Sequence, residues 1–273
     1  MGIVNVNDDS FSDDGTLDID EAISQARQQV MSGADMIDVG AESARTNRAA
    51  VAVEEEVRRL SRFIERWAEV FAEVQPKDED QIWPPVLSVN TWRPEVVATV
   101  LALGKIELIN DMGGLPDDRN ARHCAEYGAA LLVMHSVGEP KVPHFHQQWG
   151  DLLAEMRRFF GGKLKMAKAA GLPEDSVILD PGIDFAKQRE DNLSVYRALG
   201  QFRDFGRPLL VPVSRKTVIG EVLDLPDPKD RDAGTVACIA AAMERGAEIF
   251  RIHNVEAAWQ VVKTMDAIFG EEG

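Results

Sequence analysis

Residues 32–40, SGADMIDVG, hold a helix end, a tight link and a complete strand-like run. Gly33 suits the left-handed conformation that closes a helix, and the apolar run that follows passes through Asp38. The same unit recurs as YGAALLVMH at 127–135 and RGAEIFRIH at 245–253. A link this short between a helix end and an apolar run suits the αβ turn of an alternating fold.

Working outward, eight strand-like runs each carry at or near their end a residue capable of chemistry. GIVNV stops at Asn5, ADMIDVG at Asp38, PVLSVN at Asn90, ELIND at Asn110 and Asp111, and ALLVMH at His135. SVILDPG stops at Asp180, PLLVPVSRK at Ser214 to Lys216, and EIFRIHN at Arg251 and His253. Between them the apolar residues fall at i, i+3, i+4 and i+7, predicting helices over 20–32, 53–73, 94–103, 118–127, 148–170, 190–200, 232–245 and 255–268. Strict alternation predicts a parallel sheet. Sixteen elements in 273 residues suit a closed (β/α)8 TIM barrel, one α/β domain over residues 1–273. An open dinucleotide-binding sheet would carry GxGxxG after the first strand, and none is there. In a barrel all strand C-termini open on one face, so these ends converge on a single site.

Composition narrows the function. A net charge of −16, with 46 acidic against 30 basic residues, repels nucleic acid and anionic membrane over most of the surface. No apolar run reaches the roughly 18 residues of a membrane span, and no basic stretch and apolar signal segment opens the chain, so the expected location is cytoplasmic. Cys124 and Cys238 fall in predicted helices without metal-like spacing and read as helix-face or core residues.

DPGIDFAK, 180–187, puts a carboxylate at a strand end, then a Pro-Gly turn, then Phe185 and Lys187. A buried carboxylate there matches a flat heterocycle with an amino group beside a ring N–H, which gives two parallel hydrogen bonds. The alternative is a capped turn in which Asp180 binds backbone amides. Ser214, Arg215, Lys216, Arg251 and His253 gather positive charge at the last two strand ends, where barrels often hold phosphate. Asn5, Asn90 and Asn110 are amides suited to a neutral heterocycle or to a metal-bound phosphate oxygen. His144 and His146 have no third ligand at recognisable spacing and read as loop residues. The polar stretch Gln75 to Pro85 falls on the opposite face and reads as structural, whereas residues 7–19 and 41–52 form two long βα loops able to close over a substrate.

With these motifs in order, the chain resembles the dihydropteroate synthases of folate biosynthesis over essentially its whole length. GIVNVNDDSFSDDG, IDVGAESAR, LSVNT, LIND, DPGIDFAK, VSRK and RIHN carry the resemblance. It implies a transferase, commonly a homodimer, that joins dihydropterin methyl pyrophosphate to p-aminobenzoate and releases pyrophosphate, with Mg2+ on the leaving group. It also implies that Asp38, Asn90, Asn110, Asp180 and Lys216 bind the pterin, with Asn90, Asp180 and Lys216 closest to the chemistry. Asn5, Arg251 and His253 would hold the pyrophosphate, Asn5 also the metal, and Ala44, Arg45, Phe185, Ser214 and Arg215 the aminobenzoate end. Sulfonamides would then compete as aminobenzoate mimics.

The chain departs from the family pattern at several points. Val89-Asn90-Thr91 stands where Val-Asp-Thr is usual, so a neutral amide replaces a carboxylate worth a few kcal/mol beside a developing cation. Asn7-Asp8, Ser43-Ala44-Arg45-Thr46-Asn47, Asp184-Phe185-Ala186-Lys187 and His253-Asn254 also differ. Two other functions fit the retained residues: a pterin-binding paralogue without synthase activity, and a methyltetrahydrofolate-type methyltransferase.

Overall fold

The computed structural model describes residues 1–7, 15–42, 49–138, 140–142, 144 and 146–269. Eight strands run in parallel: β1 (Gly2–Asn5), β2 (Met36–Gly40), β3 (Val86–Asn90), β4 (Leu108–Asp111), β5 (Ala130–Met134), β6 (Val177–Asp180), β7 (Leu210–Val211) and β8 (Ile249–Phe250). β1 to β6 pair in sequence order and β7 pairs with β8. Single bridges from Leu179 to Leu209 and from Gly2 to Ile252 close the two seams, which makes the expected barrel.

Side chains alternate across a strand, so register decides which residues line the interior. Asp38 pairs with Ser88, and Gly40 with Asn90. Asn90 pairs in turn with Asn110, and Met134 with Asp180. One step deeper, Met1, Leu108, Leu132, Met134, Ile178 and Leu210 form a small apolar cluster. A second, larger core lies between the strands and the surrounding helices. The barrel is thus plugged by hydrocarbon below and lined with polar groups near its C-terminal mouth.

The helices are α1 (Ile19–Met31), α2 (Val53–Glu65), α3 (Trp67–Phe71), α4 (Pro94–Leu101), α5 (Arg119–Tyr127), α6 (Leu152–Ala169), α7 (Arg189–Ala198), α8 (Thr217–Leu223), α9 (Asp232–Met243) and α10 (Val255–Phe269). Asp18 and Asp151 cap α1 and α6 through their carboxylates, and left-handed Gly128 closes α5 at φ 71°. The single helix expected over 53–73 breaks at Arg66, which leaves helical geometry (φ −97°, ψ 5°) and bonds Asp20 and Glu69. Cys124 is buried in α5 and Cys238 half-buried in α9, both as free thiols. Among the described residues no helix is long and apolar enough to cross a membrane.

The stretch from Gln75 to Pro85 is fastened to α1 and α10. Gln81 donates to the carbonyls of Val30 (3.0 Å) and Ala34 (2.9 Å), and Lys77 pairs with Glu256 at 2.6 Å. These contacts match its structural reading.

Helix α8 has no forerunner in the periodicity, because Gly220 interrupts a short apolar run and lowers its helix propensity. The glycine is needed there: a Cβ would lie 2.6 Å from the guanidinium of buried Arg231. That guanidinium donates to the carbonyls of Arg215 (3.0 Å), Lys216 (3.4 Å), Leu225 (3.0 Å) and Pro226 (2.7 Å), so it holds the turn after β7 from behind. Arg231→Met is expected to cost on the order of 3 kcal/mol, because four part-buried carbonyls lose a charged donor at once. A denaturant-midpoint shift worth less than about 1 kcal/mol would contradict this role.

Candidate functional site

Asp38 lies at the floor of the mouth and is 0% exposed. A buried carboxylate needs compensating donors, and four side chains from three other strand regions supply them. Ser88 donates to its Oδ1 at 2.6 Å; Asn110 (3.0 Å), Asn90 (3.4 Å) and the Arg251 Nε (2.7 Å) donate to its Oδ2. The Asn90 amide also donates to the Met112 sulfur at 3.0 Å. Both amides therefore spend Nδ2 on the barrel floor, while their buried Oδ1 atoms have no hydrogen-bond partner among the described residues.

Across the barrel, Asp180 accepts from the Gly182 N–H at 2.7 Å, and burial pushes its carboxyl up to about 6. The turn that follows is fixed from inside by Lys187, whose ammonium sits 3.0 Å from the His135 Nδ1, 2.9 Å from the Gly182 carbonyl and 3.1 Å from that of Phe185. Three partners satisfy its three donors. Burial lowers this lysine to about 7 and, with the adjacent ammonium, lowers His135 to about 3. His135 is in turn enclosed by Trp149 (5.6 Å between ring centroids) and Phe159 (4.9 Å).

Above Asp180 the last two strand ends bring in the cations. Lys216 donates to the Ile183 carbonyl at 3.1 Å and lies 5.2 Å from the centre of the Phe185 ring, with its ammonium pKa lowered by burial. The Ser214 hydroxyl is 2.7 Å from the His253 Nδ1. Arg215, in a left-handed conformation at φ 55°, turns away from the barrel axis and pairs with Asp232 at 2.7 Å. Asp184 caps α8 through the amides of Thr217 (2.5 Å) and Val218 (3.3 Å).

Asp38, Asn90, Asn110, Asp180, Lys216 and Arg251 thus gather at the mouth, with Ser214, His253 and Phe185 at its margin. Asn5 ends β1 half-buried. Ala44, Arg45 and Asp8 lie outside the described residues. His144 is half-buried and His146 exposed, and among the described residues no cluster of three His, Cys, Asp or Glu side chains is placed to hold a metal.

Several supporting residues escaped the sequence reading. Arg93 sits between two buried carboxylates, bonding Glu56 and lying 2.6 Å from Glu42. Lys141 reaches Glu42 at 3.0 Å from the loop after β5, and Thr91 donates to Glu56 at 2.6 Å. This network ties the ends of β2, β3 and β5 together. Its residues look like ordinary surface charges in the sequence; the one local hint is Arg93-Pro94 at a helix start.

Comparison with known proteins agrees with the geometry. The profile of the family described as pterin binding enzyme matches residues 1–253. A dihydropteroate synthase of Synechocystis is 37% identical over 271 residues, covering 98% of this chain and 89% of that one. The structure of a Yersinia pestis dihydropteroate synthase in complex with a sulfonamide drug superposes with a TM-score of 0.87 at 32% identity, covering 98% of this chain and 92% of that one. That of Clostridium difficile, in the presence of pteroic acid, gives a TM-score of 0.85 at 33% identity, with 98% and 95% covered.

Gly182 offers a direct test of the turn geometry. It adopts φ 64°, and a Cβ there would lie 2.1 Å from the His135 carbonyl oxygen. Gly182→Ala is expected to lower stability by more than about 1 kcal/mol, because the φ is left-handed and the His135 carbonyl, as backbone, cannot simply swing aside. An unchanged melting temperature would contradict the close approach.

Proposed function

The chain belongs to the pterin binding enzyme family, and from that premise we propose that it is a dihydropteroate synthase, a transferase that condenses 6-hydroxymethyl-7,8-dihydropterin pyrophosphate with p-aminobenzoate. Residues 1–273 act as one pterin-binding domain, the substrates are small molecules, and the working form is a cytoplasmic homodimer. The observation that carries the reading is the pairing of an acceptor-rich interior with a cationic margin in one barrel mouth. Among the described residues the amide oxygens of Asn90 and Asn110 have no donor, Asp180 is a buried acceptor, and Lys216, Arg251 and His253 stand beside them. A flat ring rich in N–H groups that carries an anionic substituent suits this arrangement. No observation favours the paralogue or the methyltransferase.

In the proposed mechanism Asp180 accepts the ring N–H and the exocyclic amine of the pterin, Asn90 and Asn110 accept its remaining donors, and Lys216 donates to a ring acceptor. Arg251 and His253 bind the pyrophosphate and take up charge as the bond between the pterin methylene carbon and the pyrophosphate oxygen breaks, its electron pair leaving with the anion. The electron-rich dihydropterin spreads the positive charge left on the methylene carbon. The p-aminobenzoate nitrogen, held near Phe185 and Ser214, forms the new C–N bond and releases a proton. Fixed charges in a partly dry site stabilise the separating ions.

Magnesium fits this site on the chemistry of its donors. Mg2+ prefers oxygen ligands and commonly takes a few from the protein and the rest from substrate phosphates and water. The Asn5 amide oxygen, at the end of β1, is such a donor. Bound there, the metal would neutralise leaving-group charge.

Dihydropteroate formation followed by mass spectrometry, with both substrates and Mg2+, is the test: product supports the assignment, and its absence with intact pterin binding contradicts it. Lys216→Ala is expected to weaken pterin pyrophosphate binding by roughly 10- to 100-fold, the value of a charged hydrogen bond; unchanged affinity by calorimetry would remove Lys216 from the site. Affinity is also expected to depend on pH. Asp180 titrates at about 6 and accepts two donors only when ionised, so binding strengthens as pH rises through that value. A flat profile there would contradict its role.

A further inference from the structure

Asp38 sits in the mouth yet offers a ligand nothing: Ser88 occupies one of its oxygens, and Asn90, Asn110 and Arg251 converge on the other. Resting on the pterin reading, we propose that Asp38 is a positioning residue that sets the polarity of two neighbouring amides and thereby selects the reduced pterin ring over the aromatic one.

An asparagine amide can present either its oxygen or its NH2 group to a pocket, and the two ends have nearly the same shape. A carboxylate behind the amide removes the choice, because it only accepts. With Asp38 at 3.0 Å from the Asn110 Nδ2 and 3.4 Å from the Asn90 Nδ2, each NH2 group turns to the barrel floor. Each oxygen is then left buried and unpartnered among the described residues. The Met112 sulfur, 3.0 Å from the Asn90 Nδ2, accepts on the same side and favours the same orientation.

This leaves two amide acceptors to be met by the ligand besides Asp180. A 7,8-dihydropterin has four N–H bonds on its rings and amine: two on the exocyclic amine, one on N3 and one on N8. If Asp180 takes N3–H and one amine hydrogen, two donors remain for two amide oxygens. An aromatic pterin has no N8–H, so one donor remains for two oxygens, and one buried acceptor goes unmet. A carboxylate at position 90 would accept whichever way it turned. The amide found here accepts only while Asp38 holds it, so selectivity in this chain depends on a residue that does not touch the ligand.

Asp38→Leu and Asp38→Asn separate orientation from charge, since both remove the partner charge of Arg251. Asp38→Asn keeps an acceptor oxygen toward the two amides, with its NH2 group on the Ser88 hydroxyl, whereas Asp38→Leu keeps none. Calorimetry with 7,8-dihydropterin and aromatic pterin is expected to give a preference for the reduced ring of roughly tenfold or more in the wild type, the effect of one unmet buried acceptor. Asp38→Asn should retain most of that ratio, and Asp38→Leu should bring it close to one. A ratio lost equally in both variants, or kept in Asp38→Leu, overturns the proposal. The ligand-free wild type gives a second reading that requires no variant to fold. With 15N-labelled asparagine, the side-chain NH2 groups of Asn90 and Asn110 should both exchange slowly with solvent, and fast exchange of either overturns the fixed polarity. If the wild type binds neither pterin, the pterin assignment fails, while the exchange measurement still decides the orientation.

Discussion

A single carboxylate buried in the barrel sets the terms for the site around it. Removing a charged group from water is costly unless donors replace the lost hydration, and Asp38 meets that demand by drawing in Ser88 and Asn90 from β3, Asn110 from β4 and Arg251 from the end of β8. Those contacts link strands from opposite ends of the chain. They also fix which ends of the amides face the mouth and where the arginine rests before any anion arrives. The open acceptors above Asp38 are thus a consequence of the donors being used below it.

The opposite wall solves a related problem with the opposite charge. Lys187, 8% exposed, is enclosed by two backbone carbonyls and a histidine that burial keeps neutral. It shapes the turn that offers the Gly182 amide to Asp180, so one buried cation organises the surroundings of one buried anion. Arg231 does comparable work behind Arg215 and Lys216, gathering carbonyls on both sides of α8. Asn90, Asn110 and Arg251 thus rest on Asp38, the Asp180 turn on Lys187, and Lys216 on Arg231. A rigid outer layer of this kind holds interacting groups in place before the ligand binds.

Much of the architecture was legible in the sequence because its signals are local. Gly33, Gly128 and Gly246 all adopt positive φ, as the recurring helix-end motif requires, and the apolar runs after them became strands. The polar residues at strand ends were legible as a group for the same reason, since a parallel barrel delivers every C-terminus to one face. What stayed hidden depends on contacts far apart in the chain. Nothing near Glu42, Glu56, Arg93 and Lys141 marks them as a network, and no local pattern distinguishes a carboxylate that faces a ligand from one consumed by its neighbours, as Asp38 is. Helix α8 was missed because its glycine makes room for Arg231, a demand that only packing reveals.

The central claim is that Asn90, Asn110 and Asp180 form one acceptor surface for a flat, donor-rich ring inside the barrel mouth. A crystal structure of the protein with bound 7,8-dihydropteroate tests it most directly. The account predicts ring and amine nitrogens within hydrogen-bond distance of the Asn90 Oδ1, the Asn110 Oδ1 and the Asp180 carboxylate, with the Asp38 contacts to both amides intact. A ring seated elsewhere, or one that replaces the amides on Asp38, would contradict it.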